Sequence, residues 1–228
     1  LVMEFKQGLN SMIFQADLLI DLTRKIFKAI GSNEAEAEVV AQRLVNSNLS
    51  GHDSHGVIRI PTYIKWIQEE KTLLNQTIGI ETDNGSLVVV DGNFGLGQSI
   101  GQQAMQLGIE RAALHGVAVI ALKDSAHLGR IGDWPEMCTD AGMISVHFVN
   151  TSGMGNLVAP HGAVERRLSA NPFAVGVPTH GDFPLILDMS ACTIAEGKIR
   201  VALHAGEQVP DGCLIDHEGN PTTDPKTF

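Results

Sequence analysis

DGNFGLGQSIG, Asp91–Gly101, is the stretch that decides which kind of α/β protein this is. It follows the apolar run SLVVVDG and opens a helical pattern, which is where a dinucleotide fingerprint sits. A Rossmann turn needs G-x-G-x-x-G: one glycine for the turn, one for close approach of the pyrophosphate, one for helix–strand packing. Here the glycines fall at Gly95, Gly97 and Gly101, so the last interval is one residue too long. No acidic residue ends a second strand about 20 positions on, where a ribose would be read. The stretch therefore reads as a tight loop feeding a helix, and the fold is expected to be other than Rossmann.

Outward from that loop the pattern is mixed. TIGIE and SLVVVDG read as strands joined by the turn TDNG, and Gln98–His115 as a helix with Ile100, Ala104, Met105, Gly108, Ile109 and Ala112 inward. VAVIAL, MISVHFV, FAVGVP and PLILDM are apolar runs of strand length. The first third is helical. In FQADLLIDLTRKIFKAIG the residues Leu18, Leu22, Ile26, Ala29 and Ile30 recur at helical spacing before Gly31 ends the helix. Asn33 and Glu36 form a capping box for a second helix with Ala37, Val40, Leu44 and Val45 buried. A third helix is expected from Asp53 or Ser54, carrying Ile60, Ile64 and Ile67, with Pro61 in its first turns. The chain is thus α/β, or α+β with a mixed sheet: a helical region over 1–75 and a sheet domain over 76–228.

Composition narrows the function. Lys+Arg number 16 against Asp+Glu 26, a net charge of −10, which opposes binding to nucleic acid or to an anionic membrane. No apolar run approaches the roughly 20 residues of a membrane span, and no secretory signal is expected. Cys138, Cys192 and Cys213 are odd in number and lack a CxxC, which suggests reduced thiols in a cytoplasmic protein.

The densest chemistry lies in SGHDSHGVIRIPTYI, Ser50–Ile64. His55 and Arg59, four residues apart on a helix, share one face. Arg59 offers a planar fork to a carboxylate, and His55 a proton to the neighbouring oxygen, which suits a small 2-oxo or 2-hydroxy acid. Ser54 joins Arg59 as a substrate-binding candidate. The start of a helix adds partial positive charge, favouring the anion and lowering the histidine pKa. The bland alternative is a helix cap with solvated side chains. The metal alternative is a zinc-dependent hydrolase using His52, His55 and His127, although HExxH and GxxxxGK[ST] are both missing. A second cluster, KDSAHLGRIGDWPEM, leaves the strand VAVIAL and holds His127 and Arg130 where site residues of layered α/β folds collect. A long small-residue loop, NTSGMGNLVAPHGAVERRLSANPFAVGVP, follows. Asp188–Thr193 then present N–H groups and hydroxyls at a helix start.

GHDSHGVIRIP, DSAHLGRIGDW, VAPHGAVERRLSANPFAVGVP, LILDMSACTIAEGKIRVA and GCLIDHEGNPTTDP, in this order, resemble the malate/L-lactate dehydrogenase family of non-Rossmann type. That family also holds ureidoglycolate, sulfolactate and diketogulonate enzymes, and the resemblance is strongest to its bacterial hydroxycarboxylate dehydrogenase B branch. It covers essentially the whole chain. It implies NAD(P)-dependent interconversion of 2-hydroxy and 2-oxo acids by a homodimer, with NAD the expected cofactor, NADP open and no metal. His55 is implied at the reaction centre as acid/base or against the nicotinamide, and Arg59 on the substrate carboxylate. His127 matches a histidine assigned as catalytic in other members, so both histidines stay open, His55 ranked first. Gly129, Arg130 and Ile131, with Ile186, Leu187, Asp188, Met189 and Ser190, match cofactor-binding stretches; Thr151 is a further candidate. Family members continue well beyond residue 228. The resemblance therefore implies a chain incomplete at its C-terminus, and its alternative is an inactive truncated member.

Overall fold

A computed structural model describes residues 2–7, 10–151 and 155–228. The chain falls into two compact units, Leu1–Ala141 and Gly142–Phe228.

In the first unit, strands β1 (Val2–Gln7) and β2 (Asn10–Gln15) form an antiparallel hairpin that leads into α1 (Ala16–Ala29), α2 (Glu34–Leu49) and α3 (Ile60–Gln68). A mixed sheet follows. β3 (Gly79–Asp83) runs antiparallel to β4 (Leu87–Asp91), and β4 lies parallel to β5 (Val119–Lys123). Parallel neighbours need a crossover, supplied here by α4 (Gly97–His115); α5 (Asp133–Asp140) ends the unit. Phe27, Val40, Leu44, Tyr63 and Leu96 make one core, and burying each of its aliphatic or phenyl side chains stabilises by roughly 1.5–3 kcal/mol. Leu96, at the start of α4, packs among the helices, so this sheet and α4 belong with α1–α3. The two compact units accordingly meet at 141/142, and the change of sequence rhythm at 75/76 lies inside the first of them.

The second unit holds an antiparallel sheet in the order β6 (Ser145–Phe148), β7 (Phe173–Val177), β8 (Leu185–Met189). After it come α6 (Glu196–Ala205) and the short pair β9 (Leu214–Ile215) and β10 (Pro221–Thr222). Ile199, Ala202 and Val209 form its small core.

Three local expectations are corrected. In α1 the buried face is Ala16, Leu19, Thr23 and Phe27, while Leu18 and Leu22 are exposed; packing against α2 chooses the face that carries Phe27. The capping box of α2 is half made. Asn33 Oδ1 accepts from Glu36 N at 2.9 Å, but the Glu36 carboxylate turns to Ser32 Oγ and Asn75 N, and Asn33 N donates to Asn75 Oδ1 instead. Third, Asp53–Arg59 is not α-helical. Two 3₁₀ turns, Asp53–His55 and Val57–Arg59, meet at Gly56, whose ψ of −153° is extended. The cause is Asn48 on α2: its Oδ1 takes Val57 N at 2.9 Å and lies 2.0 Å from where a Gly56 Cβ would stand. Pro61, lacking an N–H, then sits in the first turn of α3.

Candidate active site

The glycine loop between β4 and α4 stands where a Rossmann turn would, yet it is filled by protein. A Cβ on Gly97 would lie 2.2 Å from the main-chain oxygen of His127, and one on Gly101 2.5 Å from the Trp134 indole. Phe94 N donates to Asp124 O at 2.6 Å and Ala126 N to Gly95 O at 3.1 Å. The glycines thus admit the segment leaving β5, and the start of α4 is closed over by residues 126–127. That close approach delivers His127 to the residues between α2 and α3.

There Ser54, His55, Arg59 and His127 come together. The His55 and His127 rings stack at 5.4 Å between centroids with 24° between planes. Ser54 Oγ lies 2.9 Å from His55 Nδ1. Arg59 and His55 do not share a regular helical face; the guanidinium is tied back by Nε donating to Ser54 O at 2.5 Å. Its terminal nitrogens make no ion pair among the described residues. Burial, then the positive charge of Arg59, lowers His55 to about 4, with smaller contributions from His52 and Arg130. His127 is lowered to about 3 by burial, then Arg59, then His55. Both imidazoles are neutral at neutral pH beside a cationic fork. That arrangement attracts an anion and exchanges or shares protons with it.

Two residues missed in the sequence stand behind His127. Tyr63, only 2% exposed, places its hydroxyl 2.7 Å from His127 Nδ1, and Gln98, 1% exposed, donates from Nε2 to that hydroxyl at 2.8 Å. The available signal was that Tyr63 is the only tyrosine in the chain and lies one turn beyond Arg59. Burial pushes the Tyr63 hydroxyl up to about 12, so it stays protonated.

Arg130 points inward. Its guanidinium meets Asp133 at 2.6 Å and also pairs with Glu136; Asp133 is itself buried, and Arg43 lies over the Trp134 ring. Ile131 is buried too, so the Gly129–Ile131 stretch offers a ligand main chain rather than side chains. In the second unit, Ile186 and Asp188 point to one side of β8 and Leu187 and Met189 to the other, as the pleat requires. Five consecutive side chains therefore cannot face one ligand, although β8 is an edge strand with main-chain groups on one side turned away from β7. Ser190 Oγ lies 3.3 Å from Cys192 O. Thr151 packs where a Gly155 Cβ would come within 2.4 Å of its methyl group. Among the described residues, no group of three His, Cys, Asp or Glu is arranged to hold a metal ion. The zinc trio therefore does not form: His52 and His55 rings are 6.4 Å apart and edge-on, and His127 Nδ1 faces Tyr63. No described helix is long and apolar enough to cross a membrane.

The malate/L-lactate dehydrogenase family model matches residues 14–228, and the chain belongs to that family. It is 45% identical over 212 residues to hydroxycarboxylate dehydrogenase B of Escherichia coli O157:H7, covering 93% of this chain and 58% of that protein. It is 34% identical over 214 residues to the malate/(S)-sulfolactate dehydrogenase of Methanothermus fervidus, covering 94% and 62%. The structure of sulfolactate dehydrogenase from Methanocaldococcus jannaschii superposes with a TM-score of 0.87 at 34% identity, over 95% of this chain and 62% of that one. The chain thus spans about three-fifths of the length of these relatives.

Proposed function

We propose that this chain carries the substrate and proton-exchange site of an NAD(P)-dependent 2-hydroxycarboxylate dehydrogenase, acting on CH–OH of a small 2-hydroxy acid and, in reverse, on the 2-oxo acid. The observation that carries this is Arg59: a half-buried guanidinium without an ion-pair partner among the described residues, beside two neutral imidazoles. With Nε held by Ser54, its terminal nitrogens remain to grip a carboxylate. The atom next to a 2-hydroxy acid's carboxylate carries the reacting oxygen, which brings that oxygen to the histidines. His55 takes the hydroxyl proton in oxidation and returns it in reduction. A bound substrate carboxylate offsets the Arg59 charge and so raises the depressed His55 toward its ordinary range.

A nicotinamide cofactor, when bound, supplies or accepts the hydride. In the first unit the main chain of Gly129–Ile131, with His55, is the stretch proposed to hold it. In the second unit, taken by itself, the proposed stretches are the edge strand from Ile186 to Ser190 and the Thr151 hydroxyl. They fit such a group in kind, because an edge strand and two hydroxyls suit riboses and phosphates. NAD is the expected form over NADP. A cytoplasmic homodimer belongs to the same reading: three free thiols support the compartment, and the homodimer rests on the family resemblance alone. Functionally, residues 1–75 supply the substrate-side motif and 76–228 the cofactor stretches.

The test is kinetic. Arg59→Met raises KM for the 2-oxo acid about 10- to 100-fold, the worth of a hydrogen bond to a charged group, with kcat much less affected. His55→Asn collapses kcat. Wild-type kinetics in both variants would refute the assignment.

A further inference from the structure

The geometry points to Tyr63, Gln98 and the main-chain N–H of Gly129 as positioning groups that fix His127 as the neutral imidazole with its proton on Nε2. His127 is then a hydrogen-bond donor in the site, and His55 is the residue that exchanges the proton. The inference rests on the reading above that the two histidines serve one substrate oxygen.

The tautomer follows from the one donor whose direction cannot change. Gly129 N–H points at His127 Nδ1 from 3.3 Å, and a main-chain N–H can only donate. Nδ1 therefore carries a lone pair. The Tyr63 hydroxyl, 2.7 Å from the same nitrogen, is then the donor in that contact. Its oxygen is left to accept, which the Gln98 amide at 2.8 Å satisfies with an N–H. This order holds without choosing the Gln98 amide orientation beforehand, because the opposite orientation would require a proton on Nδ1 facing Gly129 N–H. Gly129 has φ of +77°, and a Cβ there would come within 3.2 Å of Gln98 Nε2, so the loop that aims the N–H also seats the amide.

The groups are costly for a purely structural role. A tyrosine hydroxyl and a glutamine amide at 2% and 1% exposure must be hydrogen-bonded to avoid a penalty, and phenylalanine and leucine would fill the space without one. The titratable and charged groups facing His127 are His55, Arg59 and Tyr63, and none supplies a negative charge. His55 is different. Its Nδ1 meets the Ser54 hydroxyl, which donates and accepts equally, so both His55 tautomers are allowed and its Nε2 is free to gain or lose a proton. In the oxidative direction the O–H bond of the hydroxy acid breaks and the proton goes to His55 Nε2, while His127 Nε2–H donates to the same oxygen. In reduction the proton returns along the same path.

The test is the nitrogen NMR spectrum of the full chain labelled with ¹⁵N-histidine, His127 being assigned by its loss in His127→Gln. The expected pattern is a pyridine-type Nδ1 and a pyrrole-type Nε2 through the neutral pH range. A pyrrole-type Nδ1, or averaged nitrogens, would overturn the inference, and this spectrum decides even where a variant fails to fold. In Tyr63→Phe, and in Gln98→Glu, which turns the tyrosine hydroxyl toward the new carboxylate, the His127 nitrogens are expected to move toward the averaged pattern. Tyr63→Phe is also expected to lower kcat about tenfold with KM little changed. Folded variants that keep the wild-type nitrogen pattern would reduce Tyr63 and Gln98 to packing. Because the spectrum needs no turnover, an inactive chain with the expected pattern supports the lock and counts against the dehydrogenase reading alone.

Discussion

Replacing Gly97 by alanine separates the two uses that the Asp91–Gly101 glycines can have. The new Cβ would stand 2.2 Å from the His127 main-chain oxygen and 2.4 Å from its carbonyl carbon. Neither is the tip of a flexible side chain. Both belong to the segment leaving β5, which is tied to the same loop by the bonds from Phe94 N and Ala126 N. Overpacking of this kind costs up to about 3 kcal/mol, against a gain of at most about 1 kcal/mol from the better helix propensity of alanine. The net loss of about 2 kcal/mol corresponds to a fall in Tm of about 4–8 °C for a chain of this size. The assay is a circular-dichroism melt of the free chain, with no nucleotide present. An unchanged Tm combined with weakened NADH binding would refute the reasoning, since it would make Gly97 a pyrophosphate cradle after all.

Two further perturbations probe the site's surroundings. Arg130→Met leaves buried Asp133 with only the more distant Arg43, 3.9 Å away, and should destabilise the free chain by about 3 kcal/mol, the low end for a broken buried pair, read by urea unfolding; wild-type stability with lost NADH affinity would instead give the Arg130 side chain to the cofactor. The histidines predict a pH dependence. In the folded chain His55 and His127 titrate at about 4 and about 3, below the free value of 6.5, so between these values the unfolded chain binds more protons. Their contribution is whole above pH 6.5 and is lost as pH falls through 4 and 3; the urea midpoint should therefore decline over that window more steeply in wild type than in His55→Asn. Equal slopes would contradict the burial of His55.

Much of the fold was legible because strand signals here are short and clean. VAVIAL, MISVHFV, FAVGVP and PLILDM each hold one of β5–β8, and TDNG forms the turn between β3 and β4. The glycine spacing also read correctly as a tight loop feeding a helix; its packing against residues 126–127 was not visible. What failed was information held by partners distant in sequence. Leu18 and Leu22 fit a helical stripe as well as Leu19 and Phe27 do, and only α2 chooses between them. Likewise the break at Gly56 depends on Asn48, one helix earlier. In the site, His55, Arg59 and Ser54 were visible as a cluster and His127 as a strand-end residue. The stacking of the two rings, the inward turn of Arg130 and the Tyr63–Gln98 pair were not visible, because each is set by tertiary packing rather than by spacing.

The most direct measurement is loss of NADH absorbance by EDTA-washed protein offered phenylpyruvate, 2-oxoglutarate, pyruvate and oxaloacetate in turn, wild type beside Arg59→Met. The account predicts consumption with at least one 2-oxo acid, needing no added metal, and a rise in KM of about 10- to 100-fold on loss of the guanidinium. Equal rates in the two proteins, or turnover that returns only with zinc, would contradict it.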